Sequence, residues 1–258
     1  NHDGRSGVIH ALSEAGLRAL RDAASRPLLY AFDFDGTLAP ISSDRHAVTL
    51  TLGVAEWLRE LAKRVPCAIV SGRALADVSL RTNGIVPHVI GNHGIESPLT
   101  SRSTLTEAER ICADWKRELE RTLAPMILLG AEIEDKRYSL TVHVRLAQDP
   151  ADAVRTSLTW LRRLSPEPRL IEGKYSINAL PPGLGGKGEA ALALMNHLGR
   201  TGLFYIGDEE TDETVFSLPD GVTMGVRVGR QAESRARFFL HEQSEVEELL
   251  RLLVQCMA

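Results

Sequence analysis

Between Leu28 and Gly94 short apolar runs alternate with helical patterns, and this rhythm limits the possible folds more than any other feature. LLYAFDF reads as a buried strand. Val54, Trp57, Leu58 and Leu61 then recur at helical spacing, and Pro66 follows them. CAIVS is a second strand, Ala74 to Asn83 a helix closed by Gly84, and PHVIG a third strand. Strand–helix–strand units of this kind cross over right-handed and build a parallel sheet, an α/β core. The rhythm resumes after PPGLGGKG, with a helix from Lys187 to Leu198, strand LFYIG, a short helix from Thr211 to Leu218, and strand VTMGV. The last helix carries Ser244 and Glu247 as a capping box, and Val246, Leu249, Leu250 and Leu253 as its buried stripe.

The middle of the chain follows another pattern. Thr106 and Glu109 are spaced as a capping box, and Ala108, Ile111, Cys112, Trp115 and Leu119 trace one helix face, stopped by Pro125. AEIEDKRYSLTVHVR is a strand pair turning near Asp135–Arg137. Asp149–Pro150 opens a second helix, with Val154, Leu158, Leu161 and Leu164 on one side. RLIEGKYSINAL is a hairpin around Gly173. These elements predict an inserted α+β unit over residues 99–181, between core segments 1–98 and 182–258. In its first hairpin Tyr138, Leu140, Val142 and Val144 should pack under the helices, while Ser139, Thr141, His143 and Arg145 form a polar face. In its second, Lys174, Ser176 and Asn178 alternate with Tyr175, Ile177 and Ala179.

Composition excludes several function classes. The 258 residues are 43% hydrophobic with a net charge of −4, and no basic block advertises nucleic-acid binding. Cys67, Cys112 and Cys256 are scattered without a CxxC, which argues against a disulfide framework and fits a reducing cytoplasm. No apolar run approaches the length of a membrane span. NHDGRSGVIH lacks the apolar region of a signal peptide and is expected to be partly an appended remnant.

Ligands of open parallel sheets sit beyond the carboxyl ends of the strands, and here those ends carry reactive groups. The first strand ends in Asp33 and Asp35, like charges two residues apart. The second ends in Ser71-Gly72-Arg73. Lys187 opens a helix, and LFYI runs into Gly207-Asp208-Glu209-Glu210-Thr211-Asp212. Carboxylates gathered this way are tolerable if a cation shares the site. A donor set rich in oxygen, free of cysteine and poor in histidine suits Mg²⁺. Each piece also has a plainer reading: DFDGT as an Asx-capped turn, SGR as a helix N-cap, His93 as a hydrogen-bonded loop histidine, and the polar hairpin face as a solvated sheet surface. GLGGKGE lacks the full spacing of a Walker A loop, and Gly188 stands where Ser or Thr would hold the metal.

Taken in order, DFDGT, SGR, the glycine-preceded Lys187 and GDEETD resemble the four motifs of haloacid-dehalogenase (HAD) type phosphatases. With DFDGTLAPI, GNHGIE, EDKRYSLTVHVR, GGKGEA and YIGDEETDE added, the chain is similar to the trehalose-6-phosphate phosphatases. The resemblance implies a HAD-like Rossmannoid core with an inserted cap of antiparallel sheet and two helices. It also implies hydrolysis of a sugar phosphate by a cytoplasmic monomer, with no nucleic-acid or membrane partner.

The same resemblance implies roles. Asp33 would attack phosphorus, and Asp35 would serve as general acid and then base. Ser71 would grip phosphate oxygens, and Lys187 would face both phosphate and Asp33. Asp33, the Asp35 carbonyl and Asp208 would hold Mg²⁺, with Asp212 orienting the metal's waters. Substrate contacts would come from Gly36, Thr37, Gly72, Arg73, His93, Glu134, Lys136, Arg145, Lys174 and Asn178. The family's lid usually carries Glu where this chain has Asn178, and a basic residue where it has Leu180. Alternatives are a phosphatase for another sugar or polyol phosphate, a non-catalytic sugar-phosphate binder, or a receiver-like signalling module. The chain is about twice a receiver's length, and two anions near a phosphate suit catalysis better than binding.

Overall fold

The computed structural model describes residues 7–122, 125–173 and 175–257, so the expected substrate contact Lys174 lies outside the described residues. The chain begins with β1 (Ile9–His10), α1 (Glu14–Ala24), β2 (Leu28–Phe32), α2 (Leu52–Ala62), β3 (Cys67–Val70), α3 (Leu75–Thr82) and β4 (His88–Ile90). There follow α4 (Arg102–Arg121), α5 (Pro125–Leu128), β5 (Glu132–Asp135), β6 (Leu140–His143), α6 (Pro150–Leu161), β7 (Arg169–Glu172) and β8 (Ser176–Leu180). It ends with α7 (Lys187–His197), β9 (Gly202–Gly207), α8 (Glu213–Phe216), β10 (Thr223–Val228), β11 (Phe238–Leu240) and α9 (Glu245–Cys256).

Seven strands form an all-parallel sheet in the order β1-β11-β10-β9-β2-β3-β4. Central β2 is buried throughout because both faces of the sheet are covered, which explains its unbroken apolar run. Leu28, Tyr30 and Phe32 join Leu58 and Leu61 of α2 and Leu249, Leu250 and Leu253 of α9 in one cluster. Leu29 and Ala31 join Ala191 and Leu194 of α7 in another.

A second, antiparallel sheet has the order β5-β6-β8-β7. Leu140, Val142, Ile177 and Ala179 pack with Trp115 and Leu119 of α4 and Ala153 and Leu161 of α6. Hydrogen bonds join the small sheet and its hairpin to the core. Lys136 Nζ donates to the Gly72 carbonyl at 3.0 Å, Asn92 Nδ2 donates to the Lys136 carbonyl at 3.0 Å, and the Ser139 hydroxyl donates to Asn92 Oδ1.

Several local expectations need correction. Ile9 and His10 pair with Phe238 and Phe239, so this part of the opening segment belongs to the core sheet. Helix α4 starts earlier than the Thr106 box implies. Ser101 Oγ accepts the Thr104 N–H as its cap, and Thr106 lies inside the helix with its hydroxyl on the Arg102 carbonyl. Ser244 precedes α9 but makes no side-chain cap, because its hydroxyl goes to Glu242. Helix α3 turns left-handed at Asn83 (φ 46°), before Gly84. Among the described residues no helix is long and apolar enough to cross a membrane.

Candidate active site

The site begins where β2 and β9 end side by side. Phe32 is in register with Ile206, and the Asp33 N–H donates to the Ile206 carbonyl at 2.9 Å. That pairing brings the residues after the two strands together. Oxygens of Asp33, Asp208 and Asp212 lie within 4.8 Å of one another. Gly36 turns the chain at φ +75°, and the turn leaves no space for a Cβ beside Asp208.

Lys187, at the first position of α7, lies between two of these carboxylates. Its ammonium donates to Asp33 Oδ1 at 2.8 Å and to Asp212 Oδ1 at 2.9 Å, all three groups being buried. Burial alone would discharge the lysine, but Asp212 and Asp33 hold it well above its ordinary range. Burial raises Asp33, Lys187 pulls it down, and the carboxylates of Asp212 and Asp208 push it back up. Asp208 is raised to about 7, by burial first and then by Glu209 and Asp212.

Three carboxylates against one ammonium leave two negative charges, the complement of a divalent cation. The donors are hard oxygens, as Mg²⁺ requires. Asp212 differs from the other two. Its oxygens accept from Lys187, from the Tyr205 hydroxyl at 2.6 Å, and from the N–H groups of Asp208 and Glu209 at 2.9 and 3.0 Å. Four partners fill a carboxylate's acceptor positions. Asp212 therefore fixes Lys187 and the loop after β9. Asp33 and Asp208 have carboxylate oxygens that could hold a cation.

Asp33 and Lys187 open onto a cavity of about 670 Å³. Asp33, Asp35, Gly72, Arg73, His93, Glu134, Lys136, Arg145, Asn178 and Lys187 all line it, so most of the expected residues converge. Gly36, Thr37, Ser71, Asp208 and Asp212 do not. Ser71 is fully buried and its Oγ accepts the Arg73 N–H at 3.1 Å. Thr37 is also fully buried, its hydroxyl aimed at Asp208 at 3.4 Å. Arg73 holds Asp35 through two hydrogen bonds of 2.7 and 2.6 Å and Asp77 through a third of 2.8 Å. His93 sits in a left-handed turn (φ 53°) and is buried, its ring packed over Gly72. Burial and the nearby Lys136 and Lys187 charges lower it well below the ordinary histidine range, so the ring is neutral.

The polar face of the small sheet forms the roof. Thr141 donates to Asn178 Oδ1 at 2.7 Å, and His143 Nε2 is 2.7 Å from Glu134. Both pairs face the cavity, unlike a sheet surface that meets only bulk water.

The sequence matches the trehalose-phosphatase family over residues 31–244. The chain belongs to this family. A trehalose 6-phosphate phosphatase of Zea mays is 29% identical over 258 residues, covering 91% of this chain and 72% of the relative. A trehalose-phosphate phosphatase of Mycobacterium tuberculosis is 32% identical over 260 residues, covering 87% of this chain and 64% of the relative. Among solved structures, the trehalose-6-phosphate phosphatase C-terminal domain of C. albicans has a TM-score of 0.71 at 22% identity, covering 98% of this chain and all of that one. The Aspergillus fumigatus trehalose-6-phosphate phosphatase has a TM-score of 0.62 at 26% identity, covering 96% and 99%.

Within this trehalose-phosphatase family chain, the two lid departures take different positions. Asn178 lines the cavity, whereas Leu180 is fully buried beside Ile95, Ala108 and Tyr138. Residues that sequence reasoning passed over also line the cavity. Arg45 comes from the core loop after β2, with Nη1 3.8 Å from Glu134 of the lid. Glu209 and Asp77 are two more. Their only signal was position, close after motifs already singled out. Tyr205 gave a different one: a hydroxyl in an otherwise apolar strand.

Proposed function

We propose that the protein hydrolyses a sugar phosphate, with trehalose 6-phosphate the leading candidate, using Mg²⁺ and an aspartyl-phosphate intermediate on Asp33. The observation that carries this reading is the buried Asp33–Lys187–Asp212 chain beside Asp208, at the floor of a cavity roofed by polar side chains. Asp33, Asp208 and the Asp35 carbonyl would hold the ion. When bound, it would offset the repulsion between a carboxylate and a charged phosphate.

In the first step an Asp33 oxygen bonds to phosphorus and the bond from phosphorus to the sugar oxygen breaks. Asp35 gives that oxygen its proton, after exchanging its pairing with Arg73 for the substrate. In the second step Asp35 takes a proton from water. The water oxygen bonds to phosphorus, the Asp33–phosphorus bond breaks, and inorganic phosphate leaves. Lys187 keeps Asp33 oriented throughout. Positioning and charge stabilisation of this kind supply most of the catalysis in phosphoryl transfer. Lid groups Glu134, Lys136, Arg145 and Asn178 would bind sugar hydroxyls, with Lys174 as a further candidate. The free cysteines suit a reducing cytoplasm, where we place the protein as a monomer.

Phosphate release from a panel of sugar phosphates tests the reading. Trehalose 6-phosphate should lead by at least about tenfold in kcat/KM, with activity lost on chelation of the metal and lowered by about 10³ in Asp33→Asn. Preference for another phosphate ester would replace trehalose 6-phosphate. Asn178 is what favours that second reading, because it offers the cavity an amide where the family's lid usually has a carboxylate.

A further inference from the structure

Arg45 stands in a loop that is neither helix nor strand, yet the backbone of that loop is well held. Asp44 Oδ1 accepts the His46 N–H at 2.8 Å, and Ser42 Oγ accepts the Asp44 N–H at 3.1 Å. Two mostly buried arginines of the core complete the fixing. Arg73 Nη2 donates to the Arg45 carbonyl at 3.0 Å, and Arg81 Nη1 donates to those of His46 and Val48 at 3.1 and 2.7 Å. Asp77 accepts from both arginines, at 2.8 and 3.0 Å. The guanidinium that holds Asp35 thus also sets where the Arg45 side chain starts.

That side chain lines the reaction cavity and uses little of its bonding capacity within the protein. A guanidinium carries a fork of N–H donors. Nε gives one to His46 Nε2 at 3.3 Å, and among the described residues the others have no hydrogen-bond partner. Nη1 stops 3.8 Å from Glu134 Oε2, beyond hydrogen-bond distance. The two side chains are 39% and 33% exposed, and an ion pair so open adds little to stability. A sugar hydroxyl fits between them. Placed about 2.8 Å from each atom, it accepts from Arg45 and donates to Glu134. An ionised phosphate oxygen meets only half of this pair, because it cannot donate and Glu134 repels it. Ile41 of the core and Leu146 of the roof, 68% and 78% exposed, line the same cavity. Covering them with the C–H groups of a sugar ring removes apolar surface from water.

We propose that Arg45 is a specificity-determining residue, which with Glu134 grips a sugar hydroxyl between the core and the roof. The proposal rests on the function above, which supplies a hydroxyl-bearing substrate, and adds a residue that the function does not use. A hydroxyl held from both sides ties the core loop to the roof. The grip therefore selects phosphate esters of sugars over esters whose organic part has no hydroxyl.

The test is a double-variant cycle in the full chain with Mg²⁺, comparing trehalose 6-phosphate with phenyl phosphate, whose ring carries no hydroxyl. The ratio of the two kcat/KM values should fall about tenfold in Arg45→Met, the loss of one charged hydrogen bond, and mainly through KM. Arg45→Lys keeps a charged donor and should restore the ratio to within about threefold of native. Glu134→Gln should lower the ratio by a similar factor. The double variant should lose less than about threefold beyond either single one, because both groups hold the same hydroxyl. In calorimetric titration, trehalose alone should bind the native chain about tenfold more tightly than Arg45→Met. Equal losses for the two esters, or losses that multiply in full in the double variant, overturn the proposal. Trehalose binding that is absent, or indifferent to Arg45, overturns it as well. Failure of the functional reading appears separately, as a native chain that leaves trehalose 6-phosphate intact yet binds trehalose through Arg45.

Discussion

A Cβ placed on Gly36 would stand 2.1 Å from Asp208 Oδ2, so the turn after β2 and the end of β9 fit together only around a bare backbone. The positive φ of Gly36 adds a second demand for glycine.

Gly36→Ala should therefore move Asp208. Strain at a left-handed position costs about 1–2 kcal/mol, and the clash adds to it. The expected outcome is at least about a tenfold loss of Mg²⁺ affinity, set by disrupted ligand geometry, and a lower Tm. Calorimetric titration and thermal melts check both. Unchanged metal binding would mean that Asp208 is not a ligand.

Lys187→Met removes the ammonium that bonds both Asp33 and Asp212. Breaking a buried pair by deleting one partner costs about 3–5 kcal/mol. Asp33, already raised by burial, then loses the charge that pulls it down and rises further above its unfolded value. The variant should be least impaired at low pH and lose stability as pH rises. Urea melts at pH 5 and pH 8 measure this; equal losses at both would contradict the buried-pair account.

Metal binding should depend on pH through Asp208. In the metal-free protein its carboxyl is raised to about 7, above the unfolded value. Protonation excludes the cation, so affinity should hold above pH 7 and fall about tenfold per unit below it. The metal-free protein should be more stable at pH 6 than at pH 8, because a raised carboxyl stabilises the protonated fold. Added Mg²⁺ should raise Tm more at pH 8.

Glu134 tests the roof. Burial alone would raise its carboxyl; His143, Lys136 and Arg45 hold it down to about 2. Its contribution to stability is therefore present at neutral pH and is lost only as pH falls toward 2. Glu134→Gln should lower kcat/KM for a sugar phosphate about tenfold, the value of one charged hydrogen bond. The loss for an aryl phosphate should be smaller. Equal losses would place Glu134 in lid folding instead of sugar recognition.

The sheet that positions the site was legible because β2, β3 and β9 are apolar runs that lead directly into the polar motif residues. β1 and β11 were not, since two or three residues carry no period. Their pairing is a tertiary fact. The two cap errors have a common cause: Thr106 and Ser244 match a spacing, but the hydroxyl chooses among several acceptors. The four partners of Asp212 lay beyond sequence reasoning for a similar reason. Tyr205 reads as core in a strand, and only the register of β9 beside the following turn shows its hydroxyl reaching a carboxylate.

Asn92 precedes His93, and both backbones are left-handed. The Asn92 amide joins Glu96 of its own turn to Lys136 and Ser139 of the roof. The roof cannot swing outward without prising that amide loose. Any outward swing of the roof therefore pulls on the residue that carries the buried imidazole at the edge of the reaction cavity.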